Sequence, residues 1–316
     1  MTMDRLENSL RVKVTGKCNR NCFFCHQEGG MEKIAPIQYS DEFKYLVDKL
    51  YQDFNIRSIA LTGGEPLLHD GLVDFMSSIC RDTQITGFSL TTNGTIYKDE
   101  LFWENIVKLG LYKVNLSISD ILTSVDATDS DGKLSIFDNQ MRTISILNQL
   151  GIEPNINVVV YNDRKYLINL LNKLFSTKNK FGIALLPDLT NSNTFEYSQK
   201  VIRDVLDTLH CKKKKLRHRQ GTSNTICEYI TDTGTILQVK TTKIDGQPKW
   251  LHSICENCHN KEKCQEGFYG IRVENTEGKL MVRLCLYKST ADVLMPVDSF
   301  FYSNVYEELK QNWNSK

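Results

Sequence analysis

The first two-thirds of this 316-residue chain alternates short apolar runs with amphipathic ones, six times over. "LRVKVT" (10–15), "RSIALT" (57–62), "GFSLTT" (87–92), "YKVNLSIS" (112–119), "NINVVVY" (155–161) and "GIALLP" (182–187) are short and rich in apolar or β-branched residues, and read as buried strands. Between them the apolar period lengthens from two to about 3.6 residues. In "YSDEFKYLVDKLYQDF", Phe43, Leu46, Val47, Leu50 and Tyr51 recur at i, i+3, i+4, i+7 and i+8, and Ser40 or Asp41 can cap the helix they imply. Further helices are predicted near 70–81, 99–109, 136–150, 163–176 and 195–209. Repeated strand–helix alternation implies a parallel sheet covered by helices. Six units fall two short of a closed eight-unit barrel, so the expected fold class is α/β, a partial (β/α)6 TIM-like barrel spanning 1–209. In such a fold the chemistry belongs in the loops at the carboxyl ends of the strands.

Those loops hold unusual residues. The chain has ten cysteines. Its first residues, "MTMDRLENSL", lack the apolar core of a signal peptide, and no apolar run reaches transmembrane length. The expected location is therefore cytoplasmic, with no membrane partner. In a reducing compartment clustered cysteines bind metal or do chemistry more often than they form disulfides. Cys18, Cys22 and Cys25 follow the first strand as C-x3-C-x2-C, and Cys255, Cys258, Cys264 and Cys285 form C-x2-C-x5-C-x20-C near the end. Cys80, Cys211 and Cys227 stand apart; Cys227 is a further candidate ligand or a small buried residue, and the other two are bystanders. A structural zinc ion wants four Cys or His ligands. The first group offers three cysteines and His26, which adjoins Cys25 and is poorly placed to reach the same ion. Three thiolates on one loop suit a [4Fe–4S] cube with one iron left for an exchangeable ligand. Spacing alone leaves zinc open at both groups.

Around residue 210 the pattern changes. "HCKKKKLRHRQGTSN" is basic, with no apolar periodicity, and is expected to be a solvated linker over 210–226. A nucleic-acid contact is the competing reading, but no aromatic residues are interleaved to stack on bases, and a net charge of +1 supplies no global field. Short strands surround the second cysteine group, so 227–290 is expected to form a small cysteine-rich domain and 291–316 a tail with a terminal helix.

C-x3-C-x2-C after the first strand, with the aromatic Phe24 before the last cysteine, is similar to the signature of the radical SAM superfamily. Further motifs stand on successive strand ends: "LTGGEP" (61–66), "TTNG" (91–94) and "NLSIS" (115–119). The resemblance implies that Cys18, Cys22 and Cys25 hold a [4Fe–4S] cluster whose open iron chelates S-adenosylmethionine (SAM). An electron then cleaves SAM to methionine and a 5′-deoxyadenosyl radical, which takes a hydrogen atom from substrate. It implies SAM contacts from Phe24, Gly63, Gly64, Glu65, Thr92, Asn93, Ser117 and Leu186, with the glycines letting backbone approach a ligand closely. It also implies a flavodoxin- or ferredoxin-type reductant and allows a homodimer.

The second group resembles the auxiliary-cluster extensions called Twitch and SPASM, which implies a second [4Fe–4S] cluster on Cys255, Cys258, Cys264 and Cys285. "GKLMVRLCLY" (278–287) is similar to the end of the Twitch domain of GTP 3′,8-cyclases, the first enzymes of molybdenum-cofactor biosynthesis, and the likeness runs from about 10 to 290. Departures accompany it. Basic residues that hold GTP in the cyclases are replaced by Ala60 and Asn155, an arginine pair is reduced to Gly270 and Arg272, and an arginine before the first cysteine is Lys17, which loses the bidentate fork. Lys17 and Arg272 remain candidate substrate contacts. The cyclases end in Gly-Gly, this chain in "NWNSK". Cys264 supplies a fourth thiol where the cyclases leave an iron open, and a closed cluster favours electron transfer or structure. The expectation is a radical SAM enzyme acting on a small molecule, nucleotide or peptide. The alternatives are a divergent GTP 3′,8-cyclase, a maturase of ribosomally made peptides, and a non-catalytic Fe–S or zinc protein that binds nucleic acid.

Overall fold

The computed structural model describes residues 3–5, 9–25, 34–119, 135–219, 222–244 and 247–314; His26 lies outside them. The six expected strands are all present as β1 (Ser9–Thr15), β2 (Ser58–Gly63), β3 (Gly87–Thr92), β4 (Leu111–Ser117), β5 (Asn155–Val160) and β6 (Gly182–Pro187). So are the helices α1 (Asp41–Phe54), α2 (Leu72–Asp82), α3 (Glu100–Lys108), α4 (Ile136–Gln149), α5 (Arg164–Phe175) and α6 (Ser192–Thr208). Short polar side chains start most of them. Ser40, Asp99, Ser135 and Asp163 each accept the backbone N–H three residues on, and Asn191 forms a reciprocal capping box with Thr194.

The chain divides into two compact units, Met1–Met3 with Leu90–Leu216 and Ile226–Thr241, and Asp4–Ser89 with Arg217–Thr225 and Thr242–Lys316. These units follow other boundaries than the expected ones at 209, 226 and 290. In the first unit β4, β5 and β6 pair in parallel, and β6 pairs in parallel with β9 (Ile236–Thr241), so a segment expected to belong to the cysteine-rich domain extends the strand–helix sheet. In the second unit β1 pairs in parallel with β2 on one side and with β10 (Arg272–Thr276) on the other. A hairpin from β10 to β11 (Lys279–Arg283), then β12 (Leu294–Pro296), completes that set antiparallel. The hairpin that leads to Cys285 thus lies directly against the strand that leads to Cys18.

The expected linker is a correction. Lys212–His218 is a strand, β7, and Thr225–Ile230 is β8. Lysine is a poor strand former, but cross-strand and same-face neighbours decide strand formation more than intrinsic preference does. The first three lysines are exposed, as the charge run required. The terminal helix α7 (Asn304–Asn314) is present, and the Tyr306 hydroxyl donates to Asp53 of α1. No helix among the described residues is long and apolar enough to cross a membrane.

Alternation along the strands separates two faces. Leu10, Val12 and Val14 of β1 are fully buried with Phe43, Leu46 and Leu50 of α1 in the second unit's core. Val114 and Leu116, Ile156 and Val158, and Ile183 and Leu185 do the same for β4, β5 and β6 in the first unit. Burial of this kind contributes about 25 cal/mol per Å² of apolar surface. The opposite faces carry Arg11 and Lys13 on β1, Asn115 and Ser117 on β4 and Asn155 and Asn157 on β5, while β6 presents Ala184 and Leu186 there.

Candidate active site and metal centres

Residues 16–25 leave β1 as an irregular loop that exposes Cys18 and Cys25 and half-buries Cys22. The Cys25 N–H donates to the Cys22 carbonyl at 3.0 Å, closing a turn between the last two cysteines. Cys18 feels the charges of Cys25 and Glu65, and Cys22 that of Cys18. Burial pushes both the Cys18 and Cys22 thiols up; for Cys18 the Arg20 N–H, 3.5 Å from its sulfur, pulls the other way. Such donors favour the thiolate that a metal requires.

The GGE loop clamps this segment from the end of β2. Gly64 N–H donates to Thr15 O and Glu65 N–H to Lys17 O, both at 2.8 Å. A Cβ on Gly64 would lie 2.0 Å from Lys17 O, and one on Gly63, whose φ is +146°, would lie 2.4 Å from Thr15 O. The close approach expected toward a ligand is therefore made to the chain's own backbone, at the root of the cysteine loop. Glu65 is wholly buried and caps the turn Pro66–Leu68, accepting Leu67 N–H at 3.1 Å. Lys17 is exposed. Phe24 packs edge-to-face with Phe23, ring centroids 5.2 Å apart.

Thr92, Asn93, Ser117 and Leu186 belong to the first unit. Thr92 Oγ1 accepts Gly94 N–H at 3.0 Å, and Asn93 Oδ1 accepts both the N–H and the hydroxyl of Thr95. Two residues that sequence reading missed brace this turn from α4. Asn139 donates to Gly94 O at 2.9 Å and Gln140 to Asn93 O at 2.6 Å, and both are completely buried. Two adjacent amides inside an amphipathic helix were the available signal. Ser117 stands in register with Asn157, and Asn115 with Asn155. Leu186 lies on the same face of β6 as Ala184, which is in register with Asn157 and with Gln238 of β9. Lys240, two residues on, donates to Asn157 Oδ1 at 2.7 Å, giving this polar face a cation that was not anticipated.

The second cysteine group converges. Cys255, Cys258, Cys264 and Cys285 line one pocket with Trp250 and Phe268. Cys227 is on β8 and does not line it. Burial pushes the thiols of Cys255, Cys264 and Cys285 up, and backbone N–H groups oppose this at each: Leu251 at Cys255, Gly267 and Glu266 at Cys264, Tyr287 and Lys288 at Cys285. The turn His252–Cys255 is capped from α7, where Glu308 accepts the N–H groups of His252 and Ser253 at 2.7 and 2.9 Å. Four thiols lining one pocket, three of them supplied with amide donors, fit a thiolate-ligated cluster. Among the described residues no three His, Cys, Asp or Glu side chains converge at single-ion spacing; thiols that bind different irons of a cube need not. Arg272, expected to face substrate, is 1% exposed and bonds Glu266 at 2.5 Å. Its guanidinium carbon also lies 5.7 Å from the centroid of the Tyr269 ring.

Residues 12–193 match the pattern described as the radical SAM superfamily. A probable GTP 3′,8-cyclase of Sulfurisphaera tokodaii is 31% identical over 238 residues, 70% of this chain and 72% of the relative. One from Methanococcus maripaludis is 38% identical over 113 residues, 36% of this chain and 37% of the relative. The solved structure of anSMEcpe with bound AdoMet superposes on 96% of this chain and 82% of its own with a TM-score of 0.58 at 16% identity, a likeness of fold.

Proposed function

The chain belongs to the radical SAM superfamily and is an enzyme, and on that premise we propose that it generates a 5′-deoxyadenosyl radical at a cluster held by Cys18, Cys22 and Cys25 and uses an auxiliary cluster as an electron relay. When bound, the first cluster supplies the electron that splits SAM into methionine and the radical that takes hydrogen from substrate. The protein's part is positional. Gly64 and Glu65 pin the root of the cysteine loop, Asn139 and Gln140 pin the "TTNG" turn, and the Arg20 amide favours the Cys18 thiolate. On this reading the six strand–helix units form a partial barrel.

The observation that carries the relay is the pocket lined by all four late cysteines. Four thiolates satisfy four irons and leave none for a substrate base. The burial of Arg272 against Glu266 and the presence of Ala60 and Asn155 at cyclase basic positions point the same way: a substrate other than GTP, drawn from small molecules, nucleotides or peptides. The second reading, a divergent GTP 3′,8-cyclase, is favoured by the Sulfurisphaera relative. Anaerobic turnover of the reduced, reconstituted protein with GTP and with candidate peptides tests both. Deuterium transfer from labelled GTP into 5′-deoxyadenosine would establish the cyclase reading; SAM cleavage without such transfer supports the first.

A further inference from the structure

Three charged side chains are buried side by side in the second unit: Lys13 of β1 at 1% exposure, Glu274 of β10 at 0% and Arg283 of β11 at 3%. Glu274 receives Lys13 Nζ at 3.3 Å, Arg283 Nε at 3.0 Å to both of its oxygens, and Arg283 Nη2 at 2.7 Å. A guanidinium held by two of its nitrogens has a fixed plane. Its third nitrogen, Nη1, then points along the chain beyond β11. It meets the carbonyl of Cys285 at 3.5 Å, the carbonyl of Lys288 at 3.1 Å and Ser289 Oγ at 3.4 Å.

That loop is where the Cys285 sulfur finds its amide donors. The N–H groups of Tyr287 and Lys288 face the thiol and oppose the upward push of burial. Holding the carbonyls of 285 and 288 fixes both ends of the short stretch that carries those N–H groups, and so restricts where they can point. The loop is also tied to the opposite ligand: Lys288 Nζ donates at 3.3 Å to the carbonyl of Ile254, the residue before Cys255. N–H donors to cluster sulfur stabilise the more negatively charged, reduced state and raise the reduction potential.

We infer that Arg283, oriented by Glu274, is a positioning residue for the auxiliary cluster: it aims the 287 and 288 amides at Cys285 and thereby sets that cluster's reduction potential. The inference rests on the auxiliary-cluster reading above. Lys13 supplies the second cation that balances Glu274 from the strand entering the first cysteine loop.

Arg283→Lys is the test. It keeps a cation opposite Glu274 and removes the fork that reaches the loop. Reconstituted wild-type protein, Arg283→Lys and Cys285→Ala are compared by iron count and by redox-poised EPR, with Cys285→Ala identifying the auxiliary signal. Wild type should hold about eight irons. Arg283→Lys should keep the SAM-site signal and show an auxiliary potential shifted negative, or lose the auxiliary signal. An unshifted auxiliary potential at about eight irons overturns the inference and leaves the two-cluster reading intact. About four irons in wild type removes that reading and this inference with it. Amide exchange over residues 285–289 of the wild-type holoenzyme needs no variant to fold: protection at 287 and 288 is expected, and exchange at the rate of an open loop overturns the inference.

Discussion

Gly64→Ala perturbs the active centre through one methyl group. A Cβ there falls 2.0 Å from Lys17 O and 2.5 Å from its carbonyl carbon, where ordinary contact begins at 3.4 Å. The end of β2 must therefore retreat by about 1.4 Å from the root of the cysteine loop, the difference between those two separations. Both neighbours are backbone, so no side chain can swing aside. The retreat breaks the Gly64–Thr15 and Glu65–Lys17 hydrogen bonds, each 2.8 Å long. Two such bonds contribute about 2 kcal/mol net, and forced backbone shifts cost about 1–3 kcal/mol more. A total of roughly 3–5 kcal/mol is a large share of a typical stability of about 5–15 kcal/mol. The chemical consequence should exceed the thermal one. Misplacing a reacting group by about 1 Å costs on the order of 10²-fold in rate. The assay is 5′-deoxyadenosine formation from SAM by reduced, reconstituted protein, beside iron content and thermal melting. Gly151→Ala is the control, because Gly151 also has positive φ (+81°) but nothing within 4 Å of an added Cβ. It should lower the melting temperature slightly and leave SAM cleavage alone. Gly64→Ala at the wild-type rate with full iron would refute the argument that this glycine exists to let two backbones meet.

Glu274→Gln tests the buried charge cluster through pH. Burial would raise its carboxyl, but Arg283 and Lys13 hold it below the ordinary value of 4.5. Its stabilisation is therefore full above about pH 4.5 and is lost as pH falls below that. The variant should lose about 3–5 kcal/mol at neutral pH, since two buried cations lose their partner, and should flatten the acid limb of a denaturation series. An unchanged limb would contradict the assignment. Gln140→Ala should loosen the "TTNG" turn, costing about 1–3 kcal/mol and weakening SAM binding in equilibrium dialysis while iron content stays at the wild-type level. Unchanged SAM affinity would make Gln140 a core residue only.

The strand–helix order was legible because one face of each element is apolar at a fixed period. Phe43, Leu46, Val47 and Leu50 announced α1, and Ser40 its start. The strand at Lys212–His218 was not legible, since its place beside Thr225–Ile230 in the sheet decides it and four lysines carry no strand pattern. Spacing grouped the cysteines, and Cys255, Cys258, Cys264 and Cys285 do line one pocket. What holds them was hidden. Glu308 caps the turn before Cys255 from more than 50 residues away. Lys13 did leave a trace: in "LRVKVT" it alternates with Leu10, Val12 and Val14, which marks a strand with one charged face. Only the β10 register, Glu274 against Lys13, reveals its partner. Gly63 and Gly64 were legible as positions needing close approach, though what they approach is the backbone of Thr15 and Lys17.

The most direct measurement is 5′-deoxyadenosine production from SAM by the reduced, anaerobically reconstituted protein and by Cys18→Ala, Cys22→Ala and Cys25→Ala. Wild type should cleave SAM, and each variant should lose cleavage while Cys80→Ala, a substitution outside both cysteine groups, retains it. Cleavage that survives in any of the three variants, or that is absent from iron-replete wild type, would contradict the central claim.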